Sequence, residues 1–191
     1  MKYIILILLI ISFSSCDLFT TRTPEKPNTQ GNGNMPASSP DILFNNLITS
    51  ISSKVLENYL ACLVDTSFLK QKFKFFPSSG STSQYQVFND WNYDSERQYF
   101  KNLIAYSNPG QTVTLSLSNN SITQLGVNEA IYQYDYTLTF LANDQNISGT
   151  YQGSVQFKIF SDSRPQWVIT EWYDYKKENL QSWSDLKGRL Y

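Results

Sequence analysis

The chain contains no histidine and only two cysteines among its 191 residues. Without histidine, the commonest metal ligand and the commonest general base near neutral pH are both missing. Two thiols, Cys16 and Cys62, exclude a disulfide framework. Charge is also scarce. Charged residues make up 16%, with 15 Lys+Arg against 16 Asp+Glu and a formal net charge of −1. Such a chain lacks the basic footprint of a nucleic-acid binder. No Gly-x-Gly-x-x-Gly run and no Walker loop occurs, and Asp90, Asp94 and Glu96 do not match calcium-loop spacing. Helix capping is the simpler account of those three carboxylates. The sequence therefore implies no metal and no cofactor. What is abundant is apolar and aromatic surface, with 41% hydrophobic residues, Tyr 13 and Phe 12. That suffices for a core, and the length suits one domain with appendages.

The N-terminus reads as an address followed by a tether. Lys2 precedes an unbroken apolar run, Tyr3 to Ile11, which fits the 7–15 residues of a signal-peptide core and falls short of the ~18 needed to span a bilayer. Phe13-Ser14-Ser15-Cys16 resembles a bacterial lipobox, with Phe13 standing where Leu is more usual. The resemblance implies acylation of the Cys16 sulfur and cleavage before it, and two or more acyl chains hold a protein firmly to a membrane. The expected boundaries are 1–15 for the signal peptide, 16–39 for the lipidated cysteine and its linker, and 40–191 for the folded domain. The linker is rich in Thr, Pro, Asn and Gly without hydrophobic period, and as flexible coil it would span ~26 Å. Cys62 lies between Leu60 and Leu63 and reads as a core thiol.

The domain reads as helices first, strands second. Ser39-Pro40-Asp41 is a helix start, and Ile42, Leu43, Leu47, Ile48 and Ile51 recur at helical spacing. A second stripe runs Val55, Leu56, Tyr59, Leu60, Leu63 and Val64, with a break expected among Ser50, Ser52 and Ser53. A short strand is expected at 73–77. Asp94 is the expected cap of a third helix with Tyr99, Phe100, Leu103 and Ile104 on its apolar face. Thereafter the period becomes 2, in Val113–Leu117, Tyr132–Phe140, Tyr151–Ile159 and Trp167–Tyr173. Long alternating strands joined by tight turns predict an antiparallel meander. The result is an α+β domain: helices packed on a curved antiparallel sheet of four to six strands. For Trp167, Ile169 and Trp172 all to point inward, a bulge must lie near Thr170-Glu171. Residues 182–187 predict a short closing helix.

This order of elements is similar to the NTF2-like (cystatin-like, SnoaL-like) superfamily. The motifs that carry the resemblance are Trp167-x-Ile169-x-x-Trp172-x-Asp174 and Ser182-Trp183-x-x-Leu186-Lys187. Together they look like a group of bacterial lipoproteins with NTF2-like domains. Asp65-x-x-Phe68 and Trp91 are weaker echoes. The resemblance implies a cone with a pocket between sheet and helices. Members of the superfamily act as isomerases, hydrolases, dehydratases or binding modules, and a homodimer through the sheet is one further implication. Many of the enzymes use an Asp–His pair or an Asp with a Tyr, and the absence of histidine leaves only the second.

The candidate pocket or ligand-binding residues are Tyr132, Tyr134, Tyr136, Trp167 and Trp172, and the candidate lipidation site is Cys16. If the Tyr row faces inward, Asp135 is solvated; if the other face lines a cavity, Asp135 and Gln133 are polar groups within it. Asp174 is expected to tie the last strand to the tail, and Asp65 to serve a turn. The leading expectation is a lipoprotein of the bacterial cell envelope, anchored to a membrane with its domain on the periplasmic or outer side. The domain would bind a small ligand or an envelope protein, without catalysis and without nucleic acid. The alternatives are a tethered isomerase, lyase or hydrolase using an Asp or Glu beside a Tyr, and a structural envelope protein with a filled cone.

Overall fold

The structure is a computed structural model, and it describes residues 34–191. The stretch expected to be a signal peptide, Cys16 and most of the expected linker lie outside the described residues. Among the described residues no helix is long and apolar enough to cross a membrane.

Helix α1 (Pro40–Ser53) begins as its sequence dictates. The Ser39 hydroxyl accepts the Ile42 N–H at 3.4 Å, Pro40 occupies the first turn, and Asp41 faces the positive helix end. Leu43, Phe44, Leu47 and Ile51 form its buried stripe. The expected break comes slightly later than the serines. Ser50 and Ser53 stay helical by donating to the carbonyls of Leu47 and Thr49, and the chain turns at Lys54, whose φ of 56° is left-handed. Helix α2 (Leu56–Ala61) follows and buries Tyr59 and Leu60. Cys62 is buried just beyond it, and burial pushes its thiol up to about 12.

Strand β1 (Lys74–Phe76) falls within the expected stretch, but it pairs parallel, with Phe75 opposite Trp172. The expected antiparallel sheet therefore carries one parallel pair, at this edge. A four-residue helix α3 (Ser81–Gln84) and a 3₁₀ turn (Gln86–Asp90) lead to helix α4 (Tyr93–Tyr106). The cap of α4 is Asn92, which accepts the N–H groups of Asp94 at 2.9 Å and Ser95 at 3.3 Å. Asp94, expected as the cap, sits inside the first turn, where it complements the helix dipole.

Strands β2 (Thr114–Gln124), β3 (Glu129–Phe140), β4 (Gly149–Ser161) and β5 (Trp167–Lys176) form the antiparallel meander, giving the order β1-β5-β4-β3-β2. The bulge lies where the alternation demanded it: Lys158 pairs Glu171 and Ile159 pairs Ile169, leaving Thr170 as the extra residue. The Thr170 hydroxyl donates to the Lys158 carbonyl at 3.1 Å. On β3, Ala130, Tyr132, Tyr136, Leu138 and Phe140 point into the core. Helix α5 (Trp183–Leu190) closes the chain behind a capping box of Ser182 and Asp185.

Candidate functional site

Helix α4 presents Glu96, Tyr99, Phe100 and Leu103 inward at i, i+3, i+4 and i+7. Helix α5 does the same with Trp183, Leu186, Lys187 and Leu190. The two stripes carry one charge each, and the charges meet. Lys187 Nζ lies 2.6 and 2.7 Å from the two Glu96 carboxylate oxygens, with both side chains 0% exposed. Glu96 also accepts the Tyr59 hydroxyl and, at 2.7 Å, the Trp91 indole N–H. The ammonium rests 3.8 Å from the Phe75 ring centre and 3.9 Å from that of Trp172. Burial outweighs the pull of Glu96 and lowers the Lys187 ammonium to about 8. Burial together with the neighbouring Glu96 raises the Tyr59 hydroxyl well above its ordinary value. The reading of Glu96 as a capping group is therefore corrected: it is the anion of a closed ion pair.

A second buried carboxylate, Asp174 of β5, meets the start of the same closing helix, α5. Asp174 accepts the Tyr136 hydroxyl at 2.8 Å, the Ser184 N–H at 2.8 Å and the Ser184 hydroxyl at 2.5 Å. Tyr136 in turn accepts the Trp183 N–H at 2.6 Å. Burial raises the Asp174 carboxyl, against the hydrogen bonds from Ser184 and Tyr136 that lower it. Gly153, opposite Tyr136 in the sheet, makes this reach feasible: a Cβ there would lie 2.7 Å from the Tyr136 oxygen. The last strand and the tail are thus one unit in space, with Trp172 and Trp183 edge to face at 4.5 Å.

The five expected pocket residues divide. Tyr136 and Trp172 belong to this packed centre, both against Trp183. Tyr132 and Tyr134 gather on Phe44 of α1 at 5.1 and 5.0 Å, and burial brings the Tyr134 hydroxyl up to about 12. Trp167 is half-buried at the start of β5, where its N–H donates to Ala37 at 2.8 Å. Asp135 lies on the outer face. Asn119, Ser154 and Lys177 hold its carboxyl down to about 2.

Carboxylate–tyrosine pairs are therefore present, Glu96 with Tyr59 and Asp174 with Tyr136, but both are enclosed in the packed centre. Open concavity lies to the side. A cleft of about 510 Å³ runs between the segment after α2 (Val64, Asp65, Thr66), the approach to β1 (Lys72, Phe73) and the start of α4 (Asn92, Tyr93, Asp94, Arg97). A recess of about 200 Å³ shares Asp65 and Tyr93 with it and includes Arg164. Asp65 accepts the Ser67 N–H at 2.8 Å, which keeps its carboxyl below the ordinary range. The Arg97 guanidinium stands 5.4 Å from the Tyr93 ring centre. Burial raises the Tyr93 hydroxyl, and Arg97 opposes the rise. The turn role expected of Asp65 holds, and the cleft adds a second. Tyr93 and Arg97 were not singled out by motif or composition. Their i, i+4 spacing on one helix is the signal that pairs them.

No family model matches the chain, and no curated protein matches its sequence. Solved structures do match. An NTF2-like superfamily protein from Salmonella enterica has a TM-score of 0.51 at 13% identity, covering 72% of this chain and 89% of that one. The β subunit of benzoate 1,2-dioxygenase from Burkholderia mallei has a TM-score of 0.53 at 11% identity, covering 73% and 89%. A candidate scytalone dehydratase from Novosphingobium aromaticivorans has a TM-score of 0.55 at 11% identity, covering 75% and 89%. Likeness at these identities is likeness of fold: the described chain is an α+β cone of the NTF2-like kind.

Proposed function

Starting from that fold, we propose that this chain is a ligand-binding module of the bacterial cell envelope, held to a membrane by acyl groups on Cys16. Its domain is carried outward on the polar linker and binds a small molecule rather than transforming one. The observation that carries the binding reading is the pairing of a closed centre with an open flank. The centre has its carboxylates satisfied by protein donors, whereas the cleft beside α4 offers ligand-sized space with polar groups converging on an apolar wall. Fold neighbours whose names denote a dehydratase and a dioxygenase subunit accord with a scaffold suited to small molecules.

The test has two arms. Cells given labelled palmitate should transfer label to the chain and not to its Cys16→Ala variant; label on the variant refutes the anchor. Titration of the full chain in detergent with small aromatic fragments, followed by amide NMR, should move signals of Val64–Phe73 and Asn92–Arg97 saturably. Absence of such shifts refutes binding at the cleft. It favours the structural reading, which the packed centre supports.

A further inference from the structure

Arg97 differs from the other described arginines. Arg164 pairs with Asp162 through contacts of 2.5 and 2.9 Å, and Arg189 donates to the carbonyl of Asn146 and the side chain of Gln181. Among the described residues Arg97 has no carboxylate within ion-pairing distance, and its Nε–H is buried without an acceptor. A donor in that condition is costly, and a cation is costlier still. The guanidinium lines the cleft, with the Tyr93 ring beside it. Val64, Phe73 and Tyr93 supply apolar wall, and Lys72 brings a second cation. Asp65 and Asp94 line the same cleft and balance those two positive charges. The lining is thus neutral overall: Arg97 can receive one carboxylate, whereas a dianion adds a second negative charge beside the two aspartates.

Resting on the cleft as the binding site, we propose that it takes a small monocarboxylate with an aromatic or apolar body, its carboxylate received by Arg97. A carboxylate matches the planar fork and accepts two of its N–H groups. The flat body lies against Phe73 and Tyr93.

The test uses the full chain in detergent, titrated with benzoate, with benzyl alcohol as the uncharged analogue, and with inorganic phosphate. Benzoate should bind saturably and shift amides of Val64–Phe73 and Asn92–Arg97. Benzyl alcohol should bind about ten- to a hundredfold more weakly. Arg97→Gln should cost benzoate a similar factor, and Arg97→Lys, which keeps the charge and loses the fork, should recover only part of it. Unchanged thermal unfolding of both variants shows that the loss is local. Equal binding of benzoate and benzyl alcohol at the cleft overturns the carboxylate and leaves the cleft standing. Tighter binding of phosphate than of benzoate overturns the monoanion. No shift at the cleft with any probe overturns the site itself.

Discussion

Glu96 and Arg97 follow one another near the start of α4. Glu96 is wholly enclosed and accepts from Tyr59, Trp91 and Lys187, while Arg97 faces a cleft and has an N–H with no acceptor. One helical step of about 100° separates a charge that the fold has completed from a charge that it has left incomplete. The lesson is that ionisable side chains are sorted by their partners as much as by their burial. A buried charge surrounded by protein donors is part of the architecture, and removing one member strands the other. A charge held at an opening with donors unused is available to something from outside.

The largest expected effect breaks the completed side. Glu96→Gln, or Lys187→Met, should each lower unfolding stability by about 3–5 kcal/mol, read from urea denaturation at neutral pH, because the surviving charge stays buried without its partner. The double variant should cost less than the sum of the two, which is the signature of a direct pair. Independent, additive losses would show the pair to be incidental. Next is Asp174→Asn, expected to cost about 1–3 kcal/mol by the same measurement. It removes acceptor capacity from Tyr136 and Ser184 and loosens the tail from the sheet. Arg97→Gln should leave stability within about 0.5 kcal/mol, sharpening the contrast with its neighbour. A loss as large as that of Glu96→Gln would erase the distinction.

The smallest effect concerns the outer face of the sheet. Asp135 has a folded value of about 2, below the ordinary 3.8. Its stabilising contribution is therefore complete above pH 3.8 and is lost as pH falls through about 2. The side chain is 33% exposed, so solvent screens the effect. Thermal unfolding of the wild type and Asp135→Asn should differ slightly at pH 4 and converge toward pH 2. A gap that stays constant across that window would show that the charge of Asp135 contributes nothing.

Much of the fold was legible in the residues. The bulge at Thr170 follows from Trp167, Ile169 and Trp172 sharing a face, since a strict alternation would turn Trp172 outward. The role of Asp174 was legible for a similar reason: a carboxylate on the inward face of a strand needs donors, and Ser184 of the tail supplies them together with Tyr136. The parallel edge of β1 was not, because three residues carry no periodicity that distinguishes one strand direction from the other. The Glu96–Lys187 pair was half-written. Each residue occupies an apolar stripe of its own helix, but nothing local says that the two stripes face each other.

The candidate site was less legible than the fold. The aromatic row of β3 was conspicuous as pattern, yet Tyr132 and Tyr134 pack on Phe44 and Tyr136 joins the Asp174 network. The cleft assembles side chains from 64 to 97 whose spacing follows no motif.

Periodicity, capping residues and turn chemistry determine helices, strands and their inward faces, because those are set by neighbours a few positions apart. The meander order and the closing helix follow from them. Only the tertiary structure decided which buried charges would find partners across 91 residues of chain and which charge would be left facing open space. Partnership is a property of three-dimensional distance, and sequence separation does not report it.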